Sequence, residues 1–467
     1  MRRNKSESLH PQMHPNTLDV TKALSLRTVL RLSSMPVTAL LYCVGLNYAY
    51  VQWVSPVWSD LGFTYSAPNK ALVIAGYVLA ATQSIMCPVR IRRPSQVAYW
   101  ITFFMVFIPG LFVPLYIQLV GSLKLLLLQL SLTAGMLPIA ISCRMPLPTL
   151  RSWTLSPRAF WTILGALFLL GNAFLLITFR GNLQFASIED IYSVRYQASQ
   201  VLEQHPAAGY VTQFLGNVLN PFLIAYGLVS RRKRAVALGT LGQVMIYSTA
   251  AAKSIIISPL VIFIFYFTLR RDPGNWTTRM GLIFAGLLLA LTTLAIGAEH
   301  GAIFNLASVV LMRTFEMPGM LLGQYQYFFE NNPHTHLGHV AGFNVIAANP
   351  YTSSLGIEVG RFFGVISEGG KNGDVVSNAS FFAMDGIAGF GLPGIPLMGF
   401  VCAAVFWMLD GCAKKLPLEF SVSGLAMIIV SMTNVSLFST LLGNGLIAWI
   451  LLFLFIPKRH FRTGLKV

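Results

Sequence analysis

The chain has 467 residues, of which 55% are hydrophobic and only 10% are charged. A soluble globular domain carries about 25% charged residues, so this composition excludes a soluble globular protein and predicts a polytopic membrane protein. The net charge of +17 does not indicate nucleic-acid binding, because the basic residues form short clusters between apolar segments instead of one face of a soluble domain.

The first 35 residues are basic and polar, and the first long apolar run begins only after them. A secretory signal peptide would place its short apolar core much nearer the start. We therefore expect residues 1–35 to be a retained cytoplasmic tail.

The rest of the chain is dominated by apolar segments long enough to cross a bilayer as helices, which takes about 20 residues. The predicted fold is an all-α transmembrane bundle of about 12 spans, with spans one to nine in residues 36–297, spans ten to twelve in 384–457, and a cytoplasmic tail at 458–467. The predicted spans are 36–54, 69–88, 99–121, 124–143, 159–179, 209–229, 234–252, 254–269, 280–297, 384–409, 419–437 and 440–457.

The basic residues fix the expected orientation, since Lys and Arg are enriched in cytoplasmic loops. With the N-terminus inside, all but eight of the 33 basic residues fall in cytoplasmic segments, which predicts that both termini are cytoplasmic. The eight on the outer side are Lys70, Lys124, Arg180, Arg195, Lys253, Arg313, Arg361 and Lys371.

Two outer loops, 180–208 and 298–383, then carry most of the polar chemistry, including nine of the 16 acidic residues. Loops of this length are usually functional or disordered. Because the second is rich in glycine and aromatic residues, we expect it to fold. The five cysteines all lie outside both loops, which excludes a disulfide framework or a cysteine-based zinc site there.

Two candidate cations lie before the large loop. Arg195 is found in the acidic and aromatic stretch IEDIYSVRYQASQ, and Lys253 lies where two predicted spans meet. A cation within the membrane is costly unless it is paired or faces a wet cavity, so Lys253 is a candidate substrate ligand. The alternative is that its side chain extends to the interface.

Within the large loop, Arg313 and Glu316 are three residues apart and would share one face of a helix. They could form an intrahelical ion pair, or the arginine could bind a phosphate while the carboxylate accepts a proton. The stretch HTHLGH supplies His336, which could bind a diphosphate, manage a proton or belong to a polar surface loop. We expect no metal site, because no pair of acids completes a ligand set and HExxH is absent.

Further along the loop, Tyr325 belongs to an aromatic run suited to sugar faces, and Arg361 precedes a glycine-rich stretch, GRFFGVISEGGKNGDVVSNAS. That stretch lacks the GxxxxGK[ST] order of a nucleotide-binding loop, although backbone N–H groups could still wrap a ligand. Asp385, in MDGIAGFGLPG, is expected near the start of span ten, where an acid favours the helix dipole.

Three motifs in this order suggest a family: AAAKSIIISPLVIFIF, then R-x-x-E…Y-x-Y-F…N-P in the large loop, then D-G-I-A-G-F-G-L-P-G. Over residues 170–410 the layout resembles the Wzy-type repeat-unit polymerases of O-antigen and exopolysaccharide synthesis. The resemblance implies inverting, metal-independent glycosyl transfer at the outer face of the bacterial inner membrane, without a cofactor. It implies undecaprenyl-diphosphate-linked oligosaccharides as substrates, with a flippase and a chain-length regulator as partners.

The candidate residues suit this chemistry independently of the resemblance. A diphosphate leaving group is stabilised by arginine or lysine, and an acceptor hydroxyl needs a base. We therefore expect the stretch from Arg313 to His339 to line the catalytic cavity as a re-entrant or interfacial helix, with Glu316 or His336 as the catalytic base. The predicted substrate-binding residues are Arg195, Lys253, Arg313, Tyr325 and Arg361.

Three other functions remain open at the level of sequence. An O-antigen ligase would have a similar large outer loop. A twelve-span secondary transporter is also possible by length, but its ionisable residues should lie near the membrane midplane, whereas these are expected at the outer surface. A non-catalytic assembly partner is the third.

Overall fold

The computed structural model describes residues 34–150, 153–181, 183, 197–198, 200–202, 204–250, 253–298, 300–364 and 377–457, and only the backbone of Lys253. The predicted substrate ligand Arg195 lies outside the described residues. The described chain is helical and contains no β-strand, with one isolated bridge between Phe381 and Ser436. The all-α class predicted from composition is confirmed.

Many helices of the described chain are joined by short connections. We number them in chain order: α1 (residues 34–49, continued by Tyr50–Val54 and Ser55–Trp58), α2 (Lys70–Met86), α3 (Pro94–Ile117), α4 (Ser122–Ser142), α5 (Pro157–Thr178), α6 (Pro206–Phe214, Leu215–Leu219 and Asn220–Val229), α7 (Lys233–Ala250), α8 (Lys253–Arg271), α9 (Trp276–Ala295), α10 (Ala302–Asn331), α11 (Leu355–Phe362), α12 (Phe381–Phe390), α13 (Gly394–Ala413), α14 (Leu418–Ser431) and α15 (Leu446–Phe455). Shorter turns are Ser59–Leu61, Phe343–Val345 and Ser439–Gly443.

Seven helices of the described chain are long and apolar enough to cross a membrane: α3, α4, α5, α9, α10 and α13 in full, and α8 over Ser254–Arg271. Four apolar helices are shorter, namely α2, α12, α14 and α15. At 1.5 Å per residue, the ten residues of α12 cover about 15 Å, half the thickness of a hydrocarbon core.

One predicted span differs from the structure. Residues 384–409 were expected to form a single helix, but the chain turns between α12 and α13 instead. Gly391 has φ = 68°, which favours glycine, and Pro393 follows it. The sequence GFGLPG therefore ends one helix and starts the next, and Asp385 lies inside α12 and not at the start of a span.

Within the described chain, several basic residues that lie between helices gather at one end of the bundle. Arg93 donates a hydrogen bond to the backbone of Met145 (2.7 Å) and Arg144 to that of Ile85 (2.7 Å), while Ile91 is paired with Pro273 (3.0 Å). We call this the basic end. The opposite end, where α3 finishes and α4 begins, carries residues 332–364, and we call it the loop end.

Helix α10 bends back on itself inside the bundle. In its first arm, Phe304 lies against Trp53 near the loop end (ring centroids 5.7 Å apart), while Phe315 lies against Tyr42 (6.0 Å). The two partners are eleven residues apart on α1, which is about 16 Å of helix. The first arm therefore runs from the loop end toward the middle of the bundle.

The second arm returns to the loop end. Gly319 approaches the backbone of Pro109, and a side chain at Gly323 would meet Ile117, the last residue of α3, at 2.8 Å. Near its end, Glu330 forms a salt bridge with Lys124 at the start of α4 (2.8 Å). The bend follows a π-helical stretch, Ser308–Glu316, and is adjacent to Pro318, which has no N–H to continue the ladder.

These contacts place Ala302–Asn331 inside the bundle, whereas the sequence predicts that residues 298–383 form one outer loop. The segment has the composition of a span, but the contacts of its two arms place both of its ends at the loop end. We refer to Ala302–Asn331 as the hairpin.

Candidate functional site

The chain that follows the hairpin folds over its second arm at the loop end. Tyr351 donates a hydrogen bond to the carbonyl of Pro333 (2.6 Å), and its ring lies 5.7 Å from that of Phe328. Phe328 also meets Phe362 of α11 edge to face at 5.2 Å. His334 stacks on Phe329 with centroids 5.7 Å apart. Aromatic packing thus holds residues 332–364 against the bundle as a folded cap.

Within this cap, His339 joins two buried groups from different parts of the chain. Its Nε2 lies 3.3 Å from Oδ1 of Asp385 in α12, and its Nδ1 lies 2.7 Å from the hydroxyl of Thr335. Asp385 and Thr335 are fully buried, and the His339 side chain is 13% exposed. The three residues form a continuous chain of polar contacts, which we call the Asp–His–Thr cluster.

The backbone fixes both ends of this cluster. The backbone N–H of Phe438 donates to Oδ2 of Asp385 (3.3 Å). The backbone N–H of Thr335 donates to the carbonyl of Ala388 (2.8 Å), and the Thr335 hydroxyl is 3.1 Å from the same carbonyl. Helix α12 therefore supplies the carboxylate and also anchors the loop that carries the histidine.

Two proton arrangements fit the distances around His339. If the Thr335 hydroxyl donates to Nδ1, the ring is neutral and Nε2–H donates to Asp385. If the hydroxyl donates to Ala388, it can only accept from Nδ1–H, and a ring that also donates from Nε2 is then an imidazolium facing a carboxylate. The second arrangement holds one proton more than the first, so the cluster gains a proton at Nδ1 when the Thr335 hydroxyl turns from Nδ1 to the carbonyl of Ala388.

His336, the histidine predicted as a catalytic base, has a different environment. Its side chain is exposed, and its backbone has φ = 48°, followed by φ = 67° at Leu337. The ring lies 5.8 Å from that of Phe390. This pair of left-handed residues forms the tight turn that directs His339 inward while His336 points outward.

Glu316, the other predicted base, is at the bend of the hairpin. It is fully buried, and neither carboxyl oxygen has a hydrogen-bond partner among the described residues. The hydroxyls of Tyr42, Tyr50 and Tyr116 are close enough to interact with it electrostatically. A substrate hydroxyl at the loop end does not reach this position without movement of the hairpin.

The structure separates Arg313 from Glu316, although they are three residues apart. Arg313 is exposed while Glu316 faces the interior. The stretch Ser308–Glu316 is π-helical, and its wider turn rotates residues at this spacing away from a common face. The intrahelical ion pair considered from sequence is therefore absent among the described contacts.

The remaining predicted ligands are spread over the loop end. Tyr325 is fully buried in the hairpin and donates to the carbonyl of Ser377 (3.0 Å), so its role in the structure is to tie the hairpin to the chain before α12. Arg361 is exposed on α11 and contacts the Ser353 hydroxyl (3.1 Å). Lys253 begins α8. Arg361 alone of these three presents a described, exposed cationic side chain.

In the cap, the hydroxyl group of Tyr351 has a pKa that its surroundings raise. Partial burial, followed by the negative charge of Glu358, raises the pKa of the Tyr351 hydroxyl above its usual value of 10.0. Glu358 itself accepts a hydrogen bond from the backbone of Ser353 (3.1 Å). Tyr351 is therefore a hydrogen-bond donor throughout the physiological range.

No group of three or more histidine, cysteine or acidic side chains within the described chain could hold a metal ion. Comparisons of the chain with protein-family models, with curated proteins and with solved structures found no match.

Sequence reasoning identified the three histidines and Asp385 but did not pair them. His339 and Asp385 are 46 residues apart, so no local spacing indicates their contact. One signal was available, since an acid within an apolar segment is costly without a partner, and the nearest histidine-rich stretch precedes it.

Proposed function

We propose that the protein is a membrane-embedded glycosyltransferase that polymerises lipid-linked oligosaccharide repeat units at its loop end. The observation that carries the proposal is the Asp–His–Thr cluster, a proton-accepting group held in a folded, aromatic cap at one end of an apolar bundle. A lipid-borne substrate is confined to the membrane interface, and its sugar would meet aromatic and polar side chains there.

The proposal includes an orientation. The basic end, with Arg93 and Arg144, is assigned to the cytoplasm, because cytoplasmic loops carry the excess of Lys and Arg. The loop end is then extracytoplasmic. Helices α1 to α9, α13, α14 and the final segment from Ser439 to Phe455 make twelve crossings, while the hairpin and α12 make none.

In the proposed reaction, the oxygen of an acceptor hydroxyl attacks the anomeric carbon of the donor glycan. The bond from that carbon to the diphosphate oxygen breaks, and the lipid diphosphate leaves with the electron pair. His339 accepts the hydroxyl proton at Nδ1 after the Thr335 hydroxyl has turned away, and Asp385 stabilises the resulting imidazolium through Nε2–H. Arg361, and Arg313 if the hairpin face opens to the cavity, would stabilise the diphosphate.

The test is the rate of polymer formation by the purified protein in liposomes with a lipid-linked repeat unit. General-base catalysis contributes about 10²–10⁴-fold, so His339→Ala should lower the rate by about that factor, and Asp385→Asn should lower it as well. The matched control is His336→Ala, an exposed histidine three residues away, which should leave the rate nearly unchanged. Loss of activity in the His336 variant with full activity in the His339 variant would contradict this assignment.

Because a buried histidine variant could simply misfold, the pH dependence of the rate is measured too. His339→Gln keeps the size and a hydrogen-bonding amide but cannot titrate. A polymerase that uses His339 as base should lose the acidic limb of its pH profile in this variant while keeping its gel-filtration profile. A wild-type pH profile at a reduced rate would indicate a structural role.

A second function is favoured by one observation, the carboxyl group of Glu316, which lies at the bend of the hairpin and has no hydrogen-bond partner among the described residues. Discontinuous helices and ionisable residues near the membrane midplane are typical of secondary transporters. A transporter would depend on Glu316 and not on His339. Under this hypothesis, Glu316→Gln abolishes ion-coupled uptake by proteoliposomes. In the polymerisation assay, neither the wild type nor His339→Ala then forms product.

A further inference from the structure

A deep apolar groove lies at the basic end, on the side of the bundle away from the Asp–His–Thr cluster. It has a volume of about 860 Å³ and opens between α5, α6 and α7. Its apolar wall is made by six side chains: Trp161, Leu164, Phe168, Leu169, Leu223 and Leu238.

Helix α5, which forms one wall of the groove, has a largely unburied apolar stretch. Only 22% of its most apolar stretch is buried, and Trp161 bridges to Tyr226 of α6 with ring centroids 4.7 Å apart. Next to that bridge, a side chain added at Gly165 would meet no atom within 4 Å. The space beside Gly165 is therefore open to an apolar chain entering from the membrane.

The mouth of the groove is strongly basic. Four consecutive residues, Arg231 to Arg234, line it and are exposed. Arg232 is positioned over the ring of Tyr226, with Cζ 5.7 Å from the centroid. Among the described residues, none of the four forms a salt bridge with an acid. The groove thus combines an apolar interior with a cluster of cations whose charge is not neutralised within this part of the chain.

We infer that this groove is a binding site for an anionic glycerophospholipid of the leaflet at the basic end. The acyl chains lie along the apolar wall beside Gly165, and the phosphate lies among Arg231 to Arg234. Basic pockets between membrane helices bind anionic headgroups in this way, whereas a zwitterionic lipid would gain the apolar contacts and lose most of the electrostatic attraction. Guanidinium groups also match phosphate oxygens in geometry.

The site is distinct from the proposed catalytic cluster, because it opens at the opposite end of the bundle. Its lipid would also fill the gap between α5 and the rest of the protein, so occupancy should fix the position of α5. Neither statement depends on the polymerase proposal.

The experiment measures lipid retention by the purified full-length protein with native mass spectrometry, using dioleoylphosphatidylglycerol and dioleoylphosphatidylcholine as probes. The wild type should retain the anionic lipid more tightly. A basic side chain near an anionic headgroup contributes about a fivefold gain in affinity, so the double variant Lys233→Gln/Arg234→Gln should weaken phosphatidylglycerol binding by about 25-fold and leave phosphatidylcholine binding unchanged. The charge-matched control is Lys414→Gln/Lys415→Gln, elsewhere at the basic end, which should behave as wild type.

A second pair of variants tests the apolar half of the site. Gly165→Trp fills the groove and should weaken retention of both lipids, while Gly286→Trp, on an equally open face of α9, should weaken neither. Equal retention of the two lipids by the wild type would overturn the proposal, as would equal effects of the two charge variants. Tighter binding of undecaprenyl phosphate that displaces phosphatidylglycerol would assign the groove to a polyprenyl lipid and refute the phospholipid.

Discussion

Two glycines on the same helix should respond in opposite directions to the same substitution. A methyl group at Gly281 of α9 would lie 2.6 Å from Phe104 and 2.6 Å from Thr38, whereas one at Gly286 would meet nothing within 4 Å. Ordinary contact begins at 3.4 Å, so in Gly281→Ala both neighbouring side chains must move away from the methyl group by about 0.8 Å.

The surroundings of Gly281 limit that adjustment. Phe104 is fully buried and packs against Tyr42 (5.0 Å) and Phe284 (6.1 Å), and these are the rings that hold Phe315 of the hairpin. Overpacking of a tight core costs about 1–3 kcal/mol, while replacing a helical glycine with alanine gains about 0.5–1 kcal/mol. Gly281→Ala should therefore destabilise the protein by about 1–2 kcal/mol, and Gly286→Ala should stabilise it by about 0.5–1 kcal/mol.

The assay is the temperature at which the protein purified in detergent loses its gel-filtration peak. With about 2–4 °C per kcal/mol, Gly281→Ala should lower this temperature by about 2–8 °C and Gly286→Ala should raise it by about 1–4 °C. If both variants shift in the same direction, the close packing of α9 against α1 and α3 is wrong, and the placement of the hairpin that depends on it is wrong as well.

Three further predictions follow from the fold and the site. Cysteines introduced at Gly301 and Asn332, at the two ends of the hairpin, should both react with a membrane-impermeant thiol reagent from the same side of the membrane in spheroplasts. The background should be low because the five native cysteines are buried. Reaction from opposite sides would show that the hairpin crosses the membrane. Asp272 accepts hydrogen bonds from Asn275, and these bonds, together with the charge of Arg279, lower the pKa of Asp272 below 3.8. The stabilising contribution of Asp272 is therefore present above the pKa of the unfolded chain and is lost as the pH falls through the pKa of the folded state. The difference in melting temperature between the wild type and Asp272→Asn should be constant near pH 6 and shrink below about pH 4. Arg→Lys variants of Arg195, Arg313 and Arg361 should each reduce polymer formation if the three bind diphosphate in a two-pronged manner, and full-length polymer from all three would refute their shared role.

The apolar pattern was sufficient to locate most helices. The predicted spans 124–143 and 159–179 match α4 and α5 within about two residues at each end, because every residue of such a segment faces lipid or the core. The prediction was wrong at α10, which lies inside the bundle although residues 298–383 were predicted to form an outer loop, and at α12, which is a separate short helix although residues 384–409 were predicted to form one span. The composition of a segment indicates whether it can be buried, but it does not indicate whether its two ends lie at the same end of the bundle.

The candidate site was predictable in composition but not in pairing. The three-residue spacing predicted that Arg313 and Glu316 share one face of a helix, but the π-helical stretch directs their side chains away from each other. The contact that the structure supplies, His339 with Asp385, depends on two left-handed residues at 336 and 337 and on the turn at Gly391. Left-handed conformations at non-glycine residues are uncommon, so this turn gave no sequence signal.

The hairpin also has a consequence for how the chain is made. In the proposed topology the hairpin enters and leaves the bundle at one end, so it leaves the parity of membrane crossings unchanged, and α13 to α15 would keep their orientation if Ala302–Asn331 were removed. Each arm is only about 15 residues long, too short to be retained in a bilayer as an independent span. During synthesis the two arms must therefore enter together, after α1, α3 and α9 have formed the slot that receives Phe315. The part of the protein that holds Glu316 is thus embedded only after these three helices have packed together.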